Sequence, residues 1–116
     1  SVPAQAFEIG FWWAGLTPCT SGEPGPVKSP AFVLKDVPEG TRFTRLKLVD
    51  RDAPGFDHGG ATAALISSTG IPAGAFSYKQ PCPPSGSHTY EWTATALSKK
   101  SGGKLATAKA RREYPE

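Results

Sequence analysis

The chain has 116 residues, of which 38% are hydrophobic and 20% are charged, and its formal net charge is +3. This composition excludes intrinsic disorder and is sufficient for one hydrophobic core, so we expect a single domain over residues 1–116. Twelve prolines and thirteen glycines exclude long helices, because both residue types weaken the interior of a helix. The composition therefore predicts short strands joined by structured turns.

Six strands are predicted from aromatic, β-branched and alternating stretches. In chain order they cover residues 5–13, 31–34, 43–50, 61–68, 88–97 and 105–114. Residues 17–30 are expected to form a long loop, and the proline-rich residues 80–87 a rigid one. The last segment also has helical propensity through its Ala, Lys and Arg residues. Strands of this length with frequent turns predict an all-β fold, an antiparallel β-sandwich.

The clearest strand, 43–50, ends in a carboxylate on its apolar face. Alternation places Leu46, Leu48 and Asp50 on the same side of the strand. A carboxylate in that position needs partners, because burying it unpaired is costly. Two interpretations of Asp50 stay open here, a cap for the following turn and a part of a binding site.

The strand at 88–97 begins with His88 and Tyr90 on one face, directly after the proline-rich loop. Backbone N–H groups from residues 85–87 could face an anion, and the imidazole and the phenol would add two donors. A carboxylate such as Asp50 would orient the imidazole and raise its basicity. The pattern predicts a pocket for a phosphate or carboxylate group, whose ligand could also carry an amine accepted by Asp50 or Asp52.

Three motifs resemble those of the phosphatidylethanolamine-binding proteins, also called Raf-kinase-inhibitor-like proteins, and especially their compact bacterial members. They are D-R-D-A-P at 50–54, Q-P-C-P-P-S-G-S-H-T-Y at 80–90 and S-P-A-F-V-L-K-D-V-P-E-G-T at 29–41. The tail at 105–114 is similar to the family's closing strand, which favours strand over helix there. The resemblance implies a β-sandwich with one larger antiparallel sheet, Greek-key connections and a pocket for anionic groups. Carried over by position, the implied pocket residues are Asp50, Ala53, Pro54, Pro83, Pro84, Gly86, His88 and Tyr90.

The chain also departs from the family pattern. Arg51 replaces a proline, Gln80 a glycine and Thr89 an arginine. The family has a histidine followed by tryptophan in the strand expected at 61–68, where this chain has only small residues. We therefore expect the pocket to lose one imidazole wall, and we interpret His58 as an exposed turn residue. A short connection between residues 97 and 105 would leave one side of the sandwich open to a second subunit, as in a homodimer.

Cys19 and Cys82 are predicted to form a disulfide in an oxidising compartment, with two buried thiols as the alternative. No short ligand spacing indicates a metal site, and no cofactor is expected. The chain begins at Ser1 and contains no methionine, so we expect removal of an export signal and a secreted or periplasmic protein. No apolar stretch reaches the ~20 residues of a membrane span.

These observations favour a non-enzymatic binding module for a small anionic ligand or a phospholipid head group. Three alternatives stay open: an inhibitor or regulator of a protease or kinase that acts through the two loops, a structural sandwich with a vestigial pocket, and a hydrolase using Ser85 or Ser87 with His88. The last lacks the G-x-S-x-G elbow of hydrolases. Nucleic-acid binding is not expected, because the basic cluster at 99–112 is far from the aromatic residues 11–13.

Overall fold

The computed structural model describes residues 6–14 and 16–116, and all regular secondary structure in that part of the chain is β-strand. The strands are β1 (Glu8–Phe11), β2 (Pro26–Lys28), β3 (Phe32–Lys35), β4 (Phe43–Asp50), β5 (Asp57–Ala64), β6 (Gly70–Ile71), β7 (Ser77–Lys79), β8 (His88–Lys99) and β9 (Gly102–Tyr114). No helix in the described residues could span a membrane.

The strands form one larger sheet and two smaller ones. The larger sheet has the order β5-β4-β8-β9, the second β1-β3-β6, and β2 pairs with β7. All pairings are antiparallel. After the β4–β5 hairpin the chain passes through β6 and β7 before β8 returns beside β4, a Greek-key type of return. The predicted all-β antiparallel fold is confirmed.

Trp92 of β8 is the centre of the core. Its side chain has no solvent exposure, and it contacts Phe32 and Tyr78 edge-on at centroid distances of 5.2 and 5.0 Å. Edge-to-face contacts of this kind stabilise aromatic clusters beyond the area that they bury. The neighbouring inward positions are Ala94 and Ala96, both fully buried, so the small residues lie beside the large one.

Some predicted boundaries are wrong. β1 is limited to Glu8–Phe11, with Gln5 outside the described residues. The expected loop at 17–30 contains β2, which pairs with β7, and neither strand was predicted. β2, β6 and β7 have only two or three residues each, too few to show alternation, and this explains why the sequence did not predict them. The tail is a strand, as predicted, and begins earlier, at Gly102.

The fourth predicted strand is displaced, and this changes the interpretation of His58. β5 begins at Asp57 rather than at residue 61. Between the pairs Lys47–Gly60 and Val49–Asp57 the register shifts, so β5 carries an extra residue there. Gly59 has a φ of 80°, the left-handed conformation of a glycine bulge. The predicted exposed turn is therefore a bulged strand, and His58 is only 2% exposed.

Candidate functional site

Asp50 and His88 meet where β4 ends and β8 begins. The Asp50 Oδ2 atom lies 2.6 Å from His88 Nδ1. The other carboxylate oxygen accepts the backbone N–H groups of Asp52 and Ala53, at 2.9 and 3.2 Å. Because an ionised carboxylate only accepts hydrogen bonds, Nδ1 of His88 carries the proton and Nε2 is left for a ligand. Asp50 thus caps the turn and orients the imidazole, so both open interpretations fit its contacts.

A second imidazole lies on the other side of Tyr90. His58 Nδ1 is 2.8 Å from the Lys79 carbonyl oxygen, so Nδ1 is the donor there as well. The His58 ring meets Tyr90 edge-on at 5.4 Å, while the His88 ring is stacked 6.3 Å from Tyr90. The expectation that the pocket lacks a second imidazole is wrong. The pair Gly59-Gly60 after His58 was a usable signal, since glycine within a strand often marks a bulge.

Tyr90 is a donor rather than a base in this site. Its side chain is 1% exposed. Burial raises the pKa of the Tyr90 phenol far above its ordinary value, and the nearby Asp50 carboxylate raises it further. The hydroxyl therefore remains protonated at neutral pH.

These side chains open into a cavity of about 410 Å³ between two loops. Its lining residues are Ser21, Gly22, Glu23, Pro24, Asp50, Ala53, Phe56, His58, Cys82, Pro83, Pro84, His88 and Tyr90. The Cys19–Cys82 disulfide, predicted from the sequence, is formed and joins the two loops. Ser21 Oγ lies 3.5 Å from Cys82 Sγ, which holds the first loop close to the second.

Six of the eight residues implied by the resemblance line this cavity: Asp50, Ala53, Pro83, Pro84, His88 and Tyr90. Pro54 and Gly86 do not. Pro54 is exposed in the turn beyond Ala53, and Gly86 occupies an exposed turn with a φ of 63°. The expected floor of amides from residues 85–87 is likewise absent from the lining, whose polar side chains are those of Ser21, Glu23, Asp50, His58, His88 and Tyr90.

Two neighbouring groups are engaged elsewhere. The Asp52 carboxylate accepts the Thr89 N–H at 2.7 Å, which ties the turn to β8. Asp50, Asp52 and His88 offer ligand atoms within 4.8 Å of one another, but both carboxylates already accept backbone or imidazole hydrogens. The Ser87 hydroxyl donates to the Pro115 carbonyl at 2.8 Å and is not directed at His88.

This chain has the fold of the phosphatidylethanolamine-binding proteins. At the level of the fold, the resemblance seen in the motifs is confirmed. One solved structure, from Chlamydia trachomatis, described as a homologue of phosphatidylethanolamine-binding protein, matches with a TM-score of 0.66 at 18% identity, over 96% of this chain and 98% of that one. Another, YbcL from Escherichia coli, described as a member of the mammalian family, matches with a TM-score of 0.68 at 21% identity, over 95% and 98%. No family model and no curated protein matches the sequence.

Proposed function

We propose that this protein is a non-enzymatic binding module that takes a small anionic ligand into the cavity between β4, β5 and β8. The observation that carries the proposal is the pair of imidazoles, His58 and His88, on either side of the Tyr90 phenol. Each ring is fixed through Nδ1, so each Nε2 is available to a ligand. A phosphate or carboxylate has oxygen acceptors that match the Tyr90 hydroxyl, and each Nε2 can accept a hydrogen from a P–O–H or N–H group of the ligand or from a bridging water.

Glu23 supports a finer assignment within the same cavity. It lies in the lining, on the loop of residues 21–24. A carboxylate there favours a ligand with a cationic end, and Asp50 and Asp52 are already occupied by hydrogen bonds. We therefore propose a zwitterionic head group such as phosphoethanolamine over inorganic phosphate. Substituting Glu23→Gln should reduce the preference between these two ligands and leave phosphate binding intact.

Histidine NMR tests the site directly, because the chain has two histidines and both line the cavity. Long-range ¹H–¹⁵N spectra are recorded while phosphate, acetate or phosphoethanolamine is added. We expect saturable shifts of both Nε2 signals. Ring signals that stay unchanged at millimolar concentrations of all three ligands would rule out the proposed pocket function.

Matched variants separate binding from folding. His58→Asn and His88→Asn keep a donor near the position of Nδ1 and remove Nε2. We expect each to weaken phosphoethanolamine binding at least tenfold. Val33→Ala is the control, since Val33 is half exposed on β3 and is not part of the cavity lining. Unchanged affinity in both asparagine variants would contradict the assignment of the imidazoles.

The absence of catalysis and the location are part of the proposal. Because the Ser87 hydroxyl donates to a backbone carbonyl, a serine nucleophile beside His88 is disfavoured. We expect no labelling of Ser85 or Ser87 by a serine-reactive phosphonate.

The disulfide supports a secreted or periplasmic protein, since such bonds persist in oxidising compartments. Cells that hold the protein with free Cys19 and Cys82 thiols would contradict this location.

A second candidate function is inhibition of a protease or kinase. The observation that favours it is the covalent bond between the two loops that rim the cavity, because restrained loops lose little entropy on binding an enzyme. A panel of proteases and kinases assayed with equimolar protein tests it. If no enzyme in the panel is slowed, this candidate fails.

A further inference from the structure

The larger sheet has an outer face that bears rows of cations and threonines. In three successive rows across β4, β8 and β9, the outward residues are Arg45–Thr95–Thr107, Lys47–Thr93–Lys109 and Val49–Glu91–Arg111. We call these three rows the basic face. It lies on the opposite side of the sheet from Trp92 and the core, so it is separate from the pocket and does not depend on the proposed function.

The basic face carries a net positive charge that the protein itself does not neutralise. Within the described residues, Arg45, Lys47 and Lys109 are exposed and form no ion pair. Glu91 is the one acid in the three rows, and it is 4% exposed. Its carboxylate is bound by Arg111 Nε at 2.6 Å and lies 3.6 Å from Arg51. Glu91 therefore forms no ion pair with the three free cations.

Two threonines lie between the cations of the neighbouring strands. They are Thr93 and Thr95, the outward residues of β8 in the first two rows. Arg45 and Lys47 lie beside these threonines on β4, and Lys109 lies beside Thr93 on β9. Neighbouring strands are about 4.8 Å apart, and outward residues on one strand repeat at about 7 Å. A single extended chain lying on the threonines could therefore place acidic groups within reach of cations on both sides.

We propose that the basic face binds an extended acidic polysaccharide, a sugar chain bearing carboxylate or sulfate groups. Sugar hydroxyls would pair with the threonine hydroxyls, and the acidic groups with the flanking cations. Among residues 6–14 and 16–116, the large exposed hydrophobic residues are Trp12, Val33, Phe56, Ile66 and Leu105. None lies in the three rows, so the face lacks the stacking platforms of single-stranded nucleic-acid binders and the apolar anchors of membrane-surface proteins.

Two triple variants with the same change in charge test the proposal. Arg45→Gln/Lys47→Gln/Lys109→Gln removes the free cations of the face. Arg42→Gln/Lys28→Gln/Lys35→Gln removes one arginine and two lysines that are exposed elsewhere. Affinities for heparin fragments, as a model sulfated polysaccharide, are measured over a series of salt concentrations, and urea unfolding verifies that each variant is folded.

We expect wild type to bind heparin and not neutral dextran. The face variant should lose at least tenfold in affinity and show a salt dependence shallower by about two to three in log–log slope, while the control changes less than twofold. Equal losses in the two triple variants would overturn the proposal, since net charge alone would then explain binding. Tighter binding to single-stranded DNA or to anionic phospholipid vesicles than to heparin would overturn it as well.

Discussion

At the scale of single residues, Asp50 holds the site together. One of its oxygens accepts two backbone N–H groups of the following turn, and the other accepts the His88 proton. A buried carboxylate is tolerated there because each of its two oxygens accepts at least one hydrogen bond. Alternation along β4 predicted the inward position of Asp50. The identity of its partners depends on the pairing of β4 with β8, which alternation within one strand does not specify.

Substituting Asp50→Asn should therefore damage both functions of the side chain. The amide oxygen can still accept one set of hydrogen bonds, but the amide NH₂ would face His88 Nδ1. The neutral imidazole would then have to move its proton from Nδ1 to Nε2 to accept that N–H, which changes the atom offered to the ligand from an acceptor to a donor. We expect a loss of about 1–3 kcal/mol in the free energy of unfolding and at least tenfold weaker phosphoethanolamine binding. Urea unfolding and histidine NMR measure the two effects.

Asp57→Asn is the matched control for that experiment. The Asp57 carboxylate also accepts a local backbone N–H, from Gly59 at 2.7 Å, but Asp57 is exposed and is absent from the cavity lining. The Asp57→Asn variant should have a lower free energy of unfolding and an unchanged affinity for phosphoethanolamine. If the two variants lost affinity equally, Asp50 would have no particular role in binding.

At the scale of elements, the regular strands were predictable and the bulged one was not. β4 alternates cleanly and β8 does so apart from Glu91 and Leu97, which are also buried, and the predicted inward residues of both strands lie on the core side. The predicted start of β5 was wrong because Gly59 and Gly60 are residues typical of a turn. The bulge exists only in the pairing with β4, and it is this long-range pairing that brings His58 into the cavity.

The bulge should depend on Gly60 in particular. A Cβ atom at Gly60 would lie 1.8 Å from the Leu46 carbonyl oxygen, and its φ of 153° is one that residues with side chains rarely adopt. We expect Gly60→Ala to lower the free energy of unfolding by about 2 kcal/mol or more and to shift the His58 ring signals. Gly55→Ala, where a Cβ would meet nothing within 4 Å, should change neither quantity. A fully stable Gly60→Ala protein with unchanged His58 signals would contradict this account of β5.

The disulfide connects another pair of elements, the two loops that wall the cavity. Cys19 and Cys82 are separated by 63 residues, so the bond closes a long loop in the unfolded chain. The Cys19→Ala/Cys82→Ala variant should lose about 2–4 kcal/mol of stability. It should also bind phosphoethanolamine more weakly, since Ser21–Pro24 would lose their nearest covalent tether to the second loop. Affinity equal to that of the oxidised protein would show that the loop holds its position without the bond.

At the scale of the whole molecule, the sheet arrangement separates two different surfaces. The strand ends at Asp50 and His88 open into the cavity, whereas the outward side chains of the same strands form the basic face. The sequence alone shows a basic tail at 99–112 but not its alignment with Arg45 and Lys47, because that alignment requires the order β4-β8-β9. Arg45 and Lys47 therefore share one surface with Lys109 only because β8 lies between β4 and β9 in the sheet.

The buried phenols should make the whole fold sensitive to alkaline pH. Burial raises the pKa of Tyr78 and Tyr90 far above their ordinary value of 10.0. Above about pH 10 the unfolded chain releases these protons while the folded chain keeps them. The unfolded state then binds fewer protons, so the free energy of unfolding falls as pH rises, by about 1.4 kcal/mol per pH unit for each tyrosine.

Urea unfolding between pH 9 and pH 11.5 measures this loss, and Tyr78→Phe isolates one contribution. We expect the variant to lose stability less steeply with pH than wild type, by about 1.4 kcal/mol per pH unit, because groups common to both proteins cancel in the comparison. Tyrosinate absorbance should rise together with unfolding rather than before it for the buried phenols. Equal slopes in the two proteins would mean that Tyr78 ionises in the folded state as readily as in the unfolded chain.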